Sequence, residues 1–468
     1  MGPYNDDRDR IQPFAGNRHY WQYKGQPVML LGGSVEDNLF QIPDLEAHLD
    51  LLRSVGGNFV RGTMSSRDPG NVWPWARDPE TGLYDLDQWQ PEYWHRFRRF
   101  LELTAARDII VQIEIFDPHD HHSGRWAHNP LNPRNNVTWT AEASGLPEVV
   151  DKHASAWTQP LFDTVPAIKD LALVRRYQEA FVDKMLSYSL AFGHMLYCMD
   201  NETCADPAWG AHWAEHVKRR AREKGVNVET TEMWDNMDPS DGEVPGAVLQ
   251  DPRDHPYLDR AKLANTLAAP EHYSFVDMSN HNMQYGQTHY ETALWVRRAV
   301  ERSGTPRPIN CVKIYGGTSG WYPFGDERQG QQRFWRNVFA GLAAVRFHRP
   351  PSGQGLGPAA QAHIRSMRLL TDQLDIFTCV PAPELLSGHA DNGAFCLADP
   401  GRAYAVCVLD GGRVRLDCSA STGRLLLHWL HIAQGRWVTA VPHSVLPGAA
   451  VPLDPPGPGF FAAVLWAL

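Results

Sequence analysis

Carboxylates recur where apolar runs of this 468-residue chain give way to polar sequence. In MLYCMDNETC (195–204) the run ends in Asp200-Asn201-Glu202. Glu114 lies inside IIVQIEIFD (109–117), and Glu229, Glu232 and Asp235 flank Trp234 in VNVETTEMWD (226–235). Carboxylates gathered at one place can donate a proton, accept one, or attack an electrophilic carbon. Each costs desolvation unless paired, so their repetition implies a polar pocket. Donors and cations fall in matching positions: Arg61, the run Asn280-His281-Asn282, Lys313 with Tyr315, and His348 with Arg349. Trp234 and Trp321 supply flat faces for stacking. FDPHDHH (116–122) holds Asp117, His119, Asp120, His121 and His122, types that ligate a divalent ion. No His-x-His motif closes the first strand and no second His cluster has helical spacing. Polar loop packing is therefore expected there, with no metal and no cofactor.

The elements that must position these groups alternate. PVMLLGG (27–33), NFVRGTM (58–64), IIVQIEIFD (109–117), MLYCMDNE (195–202), VNVETTEMWD (226–235), SFVDMSNHN (274–282), PINCVKIYG (308–316) and AAVRFHRP (343–350) read as strands. Each is followed by an amphipathic stretch such as DLEAHLDLLRSVG or PEYWHRFRRFLELTAARD, the latter with Pro near its start as helices prefer. Eight strand–helix units imply parallel pairing with right-handed crossovers, hence a (β/α)8 TIM barrel over residues 1–378. A doubly wound sheet is the other candidate, but no Gly-rich phosphate loop follows the first strand. In a barrel, sites form at the carboxyl ends of the strands, where the polar groups above fall. From 379 to 468 short alternating runs broken by DPG, DGG and STG turns predict a small antiparallel β-sandwich.

Composition narrows the partners. The net charge is −10, with no basic run to neutralise phosphates, so no nucleic acid is expected. No apolar run approaches the roughly 20 residues that span a bilayer, so no membrane is expected either. Seven Cys without CxxC spacing read as free thiols in a reducing compartment. The opening MGPYNDDRDR is acidic and lacks a hydrophobic segment, which points to the cytoplasm. The chain is rich in Trp, with 17. Trp126, Trp139 and Trp157 lie in the long segment 118–170, which has the length of a lid or binding loop. They serve either as stacking faces for sugar rings or as anchors of the loop.

NFVRGTM, MLYCMDNE and FWRNVFAGLAAVRFHRP resemble the clan A glycoside hydrolases, a (β/α)8 group. CLADPGRAYAVCVLDGGRVRLDC with LHWLHIAQGRW resembles the collagen-binding-type β module that some members carry. The resemblance implies a glycosidase with a carbohydrate substrate and no cofactor. By it Glu202 is the general acid, Asn201 contacts a sugar hydroxyl, and Arg61 supports the catalytic carboxylate from below. The family's nucleophilic Glu at the end of strand seven is absent, because PINCVKIYGG places Lys313 there. A partner carboxylate from strand five or three, Glu232 or Glu114, is expected instead. Neighbouring strands lie about 4.8 Å apart. Glu202 and Glu232 would then reach the roughly 5–5.5 Å spacing of retaining pairs or the roughly 6.5–9.5 Å of inverting ones. Asp326 or Glu327 folding back over the pocket is a further option. Lys313 is expected to pair with Glu232 or Glu114 and to leave Glu202 its proton. His281, Tyr315, Trp234 and Trp321 complete the expected substrate contacts. The alternatives are a non-catalytic glycan-binding barrel and a metal-dependent hydrolase using the His119–His122 loop.

Overall fold

The computed structural model describes residues 7–121, 123–150, 161–203, 205–234, 260–279, 284–318, 325–391 and 393–468. Eight parallel strands form one sheet: β1 (Leu30–Gly33), β2 (Phe59–Thr63), β3 (Ile110–Phe116), β4 (Met195–Asp200), β5 (Glu229–Thr231), β6 (Val276–Asp277), β7 (Ile309–Ile314) and β8 (Ala344–Phe347). Their order is 5-4-3-2-1-8-7-6, so the first strand pairs with the last. Among the described residues no ladder joins β5 to β6. The seam is closed by the Ser274 N–H donating to the Thr230 carbonyl at 2.9 Å and the Thr231 hydroxyl donating to the Phe275 carbonyl at 2.8 Å.

A helix follows each strand: α1 (Leu45–Ser54), α2 (Pro91–Ala105), α3 (Ala172–Ser189), α4 (Pro207–Glu223), α5 (Arg260–Ala268), α6 (Gly286–Arg302), α7 (Glu327–Phe339) and α8 (Pro358–Gln373). Their starts follow local chemistry. Pro207 opens α4 after the Asp206 side chain accepts from the Ala208 N–H, and the Asp326 side chain accepts from the Gln329 N–H at the head of α7. Asp326 is therefore a cap and does not reach back over the barrel mouth. In α2, Tyr93, Trp94, Phe97, Phe100 and Leu101 share the inward stripe. Phe97 and Phe100 are fully buried, each contributing about 1.5–3 kcal/mol.

Three short antiparallel strands, Gln12–Pro13, Trp21–Tyr23 and Gln26–Val28, precede the barrel and plug its base. Trp21 Nε1 donates to Asn310 Oδ1 at 2.9 Å, Asn310 Nδ2 to Gln112 Oε1 at 2.9 Å, and Gln112 Nε2 to Asp277 Oδ2 at 2.8 Å. This chain of polar side chains crosses the lower barrel from strand to strand. Glu114 lies two residues beyond Gln112, on the same face of β3.

Past α8, a larger antiparallel sheet contains Ala394–Asp399, Ala403–Val408, Phe461–Ala467 and Leu425–His431, and a three-stranded sheet packs over it. Period-2 alternation splits the larger sheet. Phe395, Leu397, Ala405, Cys407, Leu430, Ala462 and Val464 join the core shared with the barrel. Cys396, Val406, Leu427, Ala463 and Leu465 form a second core between the two sheets. The module is docked on the helical layer. Tyr290 of α6 meets Phe395 with ring centroids 4.4 Å apart, and Ser366 of α8 donates to the Ile432 carbonyl at 2.7 Å. The six described cysteines are buried and unpaired. No helix among the described residues is long and apolar enough to cross a membrane.

Candidate active site

β4 ends where the polar residues begin, and Glu202 just beyond it has a left-handed backbone, φ 59°. This conformation is uncommon for a residue with a Cβ and clusters at functional turns. The turn is held on both sides. Asn201 N–H donates to the Phe116 carbonyl at 2.9 Å, and Thr203 N–H to the Met233 carbonyl at 3.0 Å.

Glu202 Oε1 lies 2.7 Å from Lys313 Nζ and Oε2 lies 3.0 Å from His119 Nε2. Lys313 Nζ also donates to Asn201 Oδ1. The Lys313 side chain is 1% exposed, that of Glu202 17% and that of His119 38%, so the arrangement opens toward solvent on the imidazole side. Burial would raise the Glu202 carboxyl, but Lys313 and His119 outweigh it and hold the group well below the usual carboxylate range. Glu202 is therefore ionised at neutral pH. The expectation that Lys313 pairs with Glu232 or Glu114 and spares Glu202 is overturned. An ammonium beside a carboxylate stabilises its charge and opposes its holding a proton.

The reach of Lys313 has a backbone cause. Asn310 already points into the barrel, and three residues on a regular strand would send Lys313 to the opposite face. The β7–β8 register shifts between Cys311 and Ile314, and such an irregularity re-aims a side chain.

Beside this group, around the strand ends, runs a largely buried ionic network. Arg61 Nε donates to Glu114 Oε1 at 2.6 Å, and its Nη1 pairs with Asp37. Arg349 Nε meets Asp37 Oδ2 at 3.0 Å and Arg67 Nη2 meets it at 3.1 Å, while Arg67 Nη1 pairs with Asp117. Burial pulls Asp37 upward, but Arg61, His348, Arg67 and Arg349 hold it well below its ordinary value. Glu114 is raised by burial, with Arg61 and Lys313 offsetting only part of it. Asp120, buried beside Asp117, is pushed up to about 6. Tyr315 packs on His348 with centroids 4.3 Å apart and ring planes tilted by 36°, and burial, Glu202 and Asp37 raise its phenol well above the ordinary value.

The structure thus gathers Glu202, Asn201, Lys313 and Tyr315, with Arg61 and Glu114 beneath. Arg61 supports Glu114 and Asp37, not Glu202 directly. The Glu232 carboxyl turns to the helical layer, and the Trp234 indole N–H bonds there with it. Trp234 Nε1 donates to Glu232 Oε1 at 3.1 Å, Thr266 Oγ1 of α5 donates to the same oxygen at 2.6 Å, and Tyr273 and Gly210 of α4 face the rest of the carboxyl. Pairing of neighbouring strands fixed how far apart their backbones lie but not which way Glu232 turned, which is toward the helices. His281 and Trp321 lie outside the described residues, as do Asn280, Asn282, Asp235, His122 and Trp157. Trp126 and Trp139 are buried anchors. Their indole N–H groups donate to the Pro147 carbonyl at 2.7 Å and the Leu131 carbonyl at 3.3 Å, so neither offers a stacking face.

The residues proposed for a metal disperse. His119 goes to Glu202, Asp117 to Arg67, Asp120 accepts from Ser65 Oγ at 2.8 Å, and His121 packs edge-on to Trp126 and Phe162. Among the described residues no group of three or more such ligands is gathered. Sequence reasoning missed Asp37 as the hub of the network and His119 as the partner of Glu202. An acid within five residues of the first strand, in SVEDN, was the available signal for Asp37.

The molecule is a (β/α)8 barrel with a cluster of charged side chains at the carboxyl ends of its strands and an antiparallel β module packed beside it. No protein-family model and no curated protein sequence matches the chain. Solved structures do. A glycoside hydrolase family 5 protein from Bacteroides vulgatus matches with TM-score 0.62 at 11% identity, over 98% of this chain and 94% of that one. A second, described as a glycoside hydrolase, matches with TM-score 0.59 at 11% identity, over 98% and 97%. The likeness is one of fold, and it spans the barrel and the C-terminal sheets together.

Proposed function

We propose that the chain is a glycoside hydrolase in which Glu202 is the working carboxylate, ionised in the free protein. The observation that carries this reading is the placement of Glu202, with one oxygen on Lys313 and the other on His119. A carboxylate kept charged at the mouth of a barrel can attack an anomeric carbon or take a proton from water, while a donor protonates the leaving oxygen. His119 is the donor in this account, because its Nε2 lies 3.0 Å from Glu202 and its ring stands on the open side of the group. Glu114, with Arg61 and Lys313, forms the charged floor. Asn201 gives Oδ1 to Lys313, which leaves its amide N–H groups for an oxygen of the sugar. The barrel of residues 1–378 bears the site, and the module 379–468 braces the helices behind it. The similarity in fold to glycoside hydrolases supports a carbohydrate substrate.

The second reading, a barrel that binds glycans without cleaving them, is favoured by Lys313 on the strand where the resembled family keeps its nucleophile. Incubation with a panel of aryl glycosides and plant or microbial oligosaccharides separates the two, with anomeric products followed by NMR. Cleavage is expected. Retention would make Glu202 a nucleophile and inversion a base. Saturable binding of a sugar without turnover would establish the second reading.

A further inference from the structure

We propose that Glu232 is a positioning residue that fixes the turn bearing Glu202, rather than a carboxylate that reacts. The inference rests on the reading of Glu202 as the working group. A left-handed residue with a side chain persists only where its surroundings over-determine it. Beside the Asn201 bond to Phe116, two restraints converge on one residue of the neighbouring strand end. Thr203 N–H donates to the Met233 carbonyl at 3.0 Å, and Asp200 Oδ1 accepts from the Met233 N–H at 2.8 Å. These two bonds grip the chain on both sides of Glu202.

Met233 in turn sits between Glu232 and Trp234, and the side chains of those two residues are tied to each other and to α5. Thr266 Oγ1 donates to Glu232 Oε1, Trp234 Nε1 donates to the same oxygen, and Trp234 lies 3.0 Å from Thr266 Oγ1. Trp234 also forms a bridge with Thr203. Glu232 is 2% exposed. The space for its carboxyl exists because position 210 lacks a Cβ, which would stand 2.6 Å from the Tyr273 hydroxyl. Glu232 thus pins segment 232–234 to the helical layer, and that segment pins the turn.

The groups facing Glu232 are Thr266 from α5, Trp234 from its own segment, Tyr273 before β6, Gly210 from α4 and the Asp200 carboxyl from β4. Burial, only partly offset by the bonds from Thr266, Tyr273 and Trp234, pushes the carboxyl from 4.5 up to about 7. A folded value above the unfolded one means that this group stabilises the fold fully below the unfolded value, and that the contribution disappears as pH rises through about 7. The bonds from Thr266 and Trp234 persist when Glu232 ionises, and what weakens the seat is the cost of a charge buried there.

The test is Glu232→Gln, whose amide oxygen still accepts from Thr266 and Trp234 and which cannot ionise. At about pH 6 the variant is expected to keep kcat within about threefold, and the decline of kcat above about pH 7 should shrink. Its Tm should fall less between about pH 6 and 8 than that of the parent. Loss of about 10²-fold or more at pH 6 in a folded variant would mean that Glu232 reacts itself. Profiles of kcat and Tm identical to the parent's would also overturn the proposal. If the parent cleaves no glycoside, the glycosidase reading fails separately, and the Tm profile still decides whether the Glu232 clamp titrates.

Discussion

Glu202→Gln is expected to lower turnover by about 10²–10⁴-fold, and to do so equally on glycosides with good and poor leaving groups. The second half of that result follows from the ion pair. A general acid is needed only when the leaving oxygen is a poor one, so its removal spares activated aryl glycosides. A base or nucleophile is needed whatever leaves. Lys313 at 2.7 Å keeps Glu202 charged, which suits attack or proton abstraction and opposes proton donation. Steady-state kinetics on a series of aryl glycosides of graded leaving-group pKa would check it. A loss confined to the poor leaving groups would return Glu202 to the role of acid.

Much of the barrel was legible because burial leaves period and composition behind. All eight strands fall within the apolar runs that suggested them, and helices such as α8 (Pro358–Gln373) end within a residue of their sequence signals. The strand-like run at 226–235 overstated β5, which spans only Glu229–Thr231. Hydrophobic pattern reports which residues are buried, and it does not report where a ladder stops. The site was harder to read for the same reason. Glu202 and Asn201 could be placed at the mouth because they end an apolar run. The contact of Lys313 with Glu202 depends on an irregular register between Cys311 and Ile314, a backbone event without a signature in composition. Glu232 was expected beside Glu202 because strands four and five are neighbours, yet its hydrogen bonds lie with α5. Trp126 and Trp139 could equally have been loop anchors or sugar platforms, and only packing separates the two.

Lys313→Met should destabilise the fold by about 3–5 kcal/mol, because it removes one member of a buried ion pair and leaves Glu202 and Asn201 facing an apolar side chain. The pH dependence has a definite sign. The Glu202 carboxyl is held below its ordinary value, so the pair contributes stability above the unfolded carboxyl range and loses it as pH falls through the folded one. Parent and variant should therefore differ most near neutrality and converge in acid, as read by urea denaturation at several pH values. Lys313→Glu is expected to be worse for activity than Lys313→Met. It restores a strand-seven carboxylate of the kind the resembled family carries, but it also sets a second negative charge beside Glu202 with Glu114 close by. Increased turnover in Lys313→Glu would show that strand seven is the proper seat of the nucleophile and that Glu202 serves as the acid.

The charge on Glu202 is the point on which the whole account turns, and carboxyl carbon NMR reads it directly. In protein labelled with 13C at glutamate side chains, the Glu202 resonance is assigned by its absence from Glu202→Gln and followed through a pH titration. It is expected to keep the shift of an ionised carboxylate from neutrality down through the ordinary range for a glutamate. A resonance that titrates at about pH 6 or higher would mean that Glu202 holds a proton in the working protein, and would contradict the account.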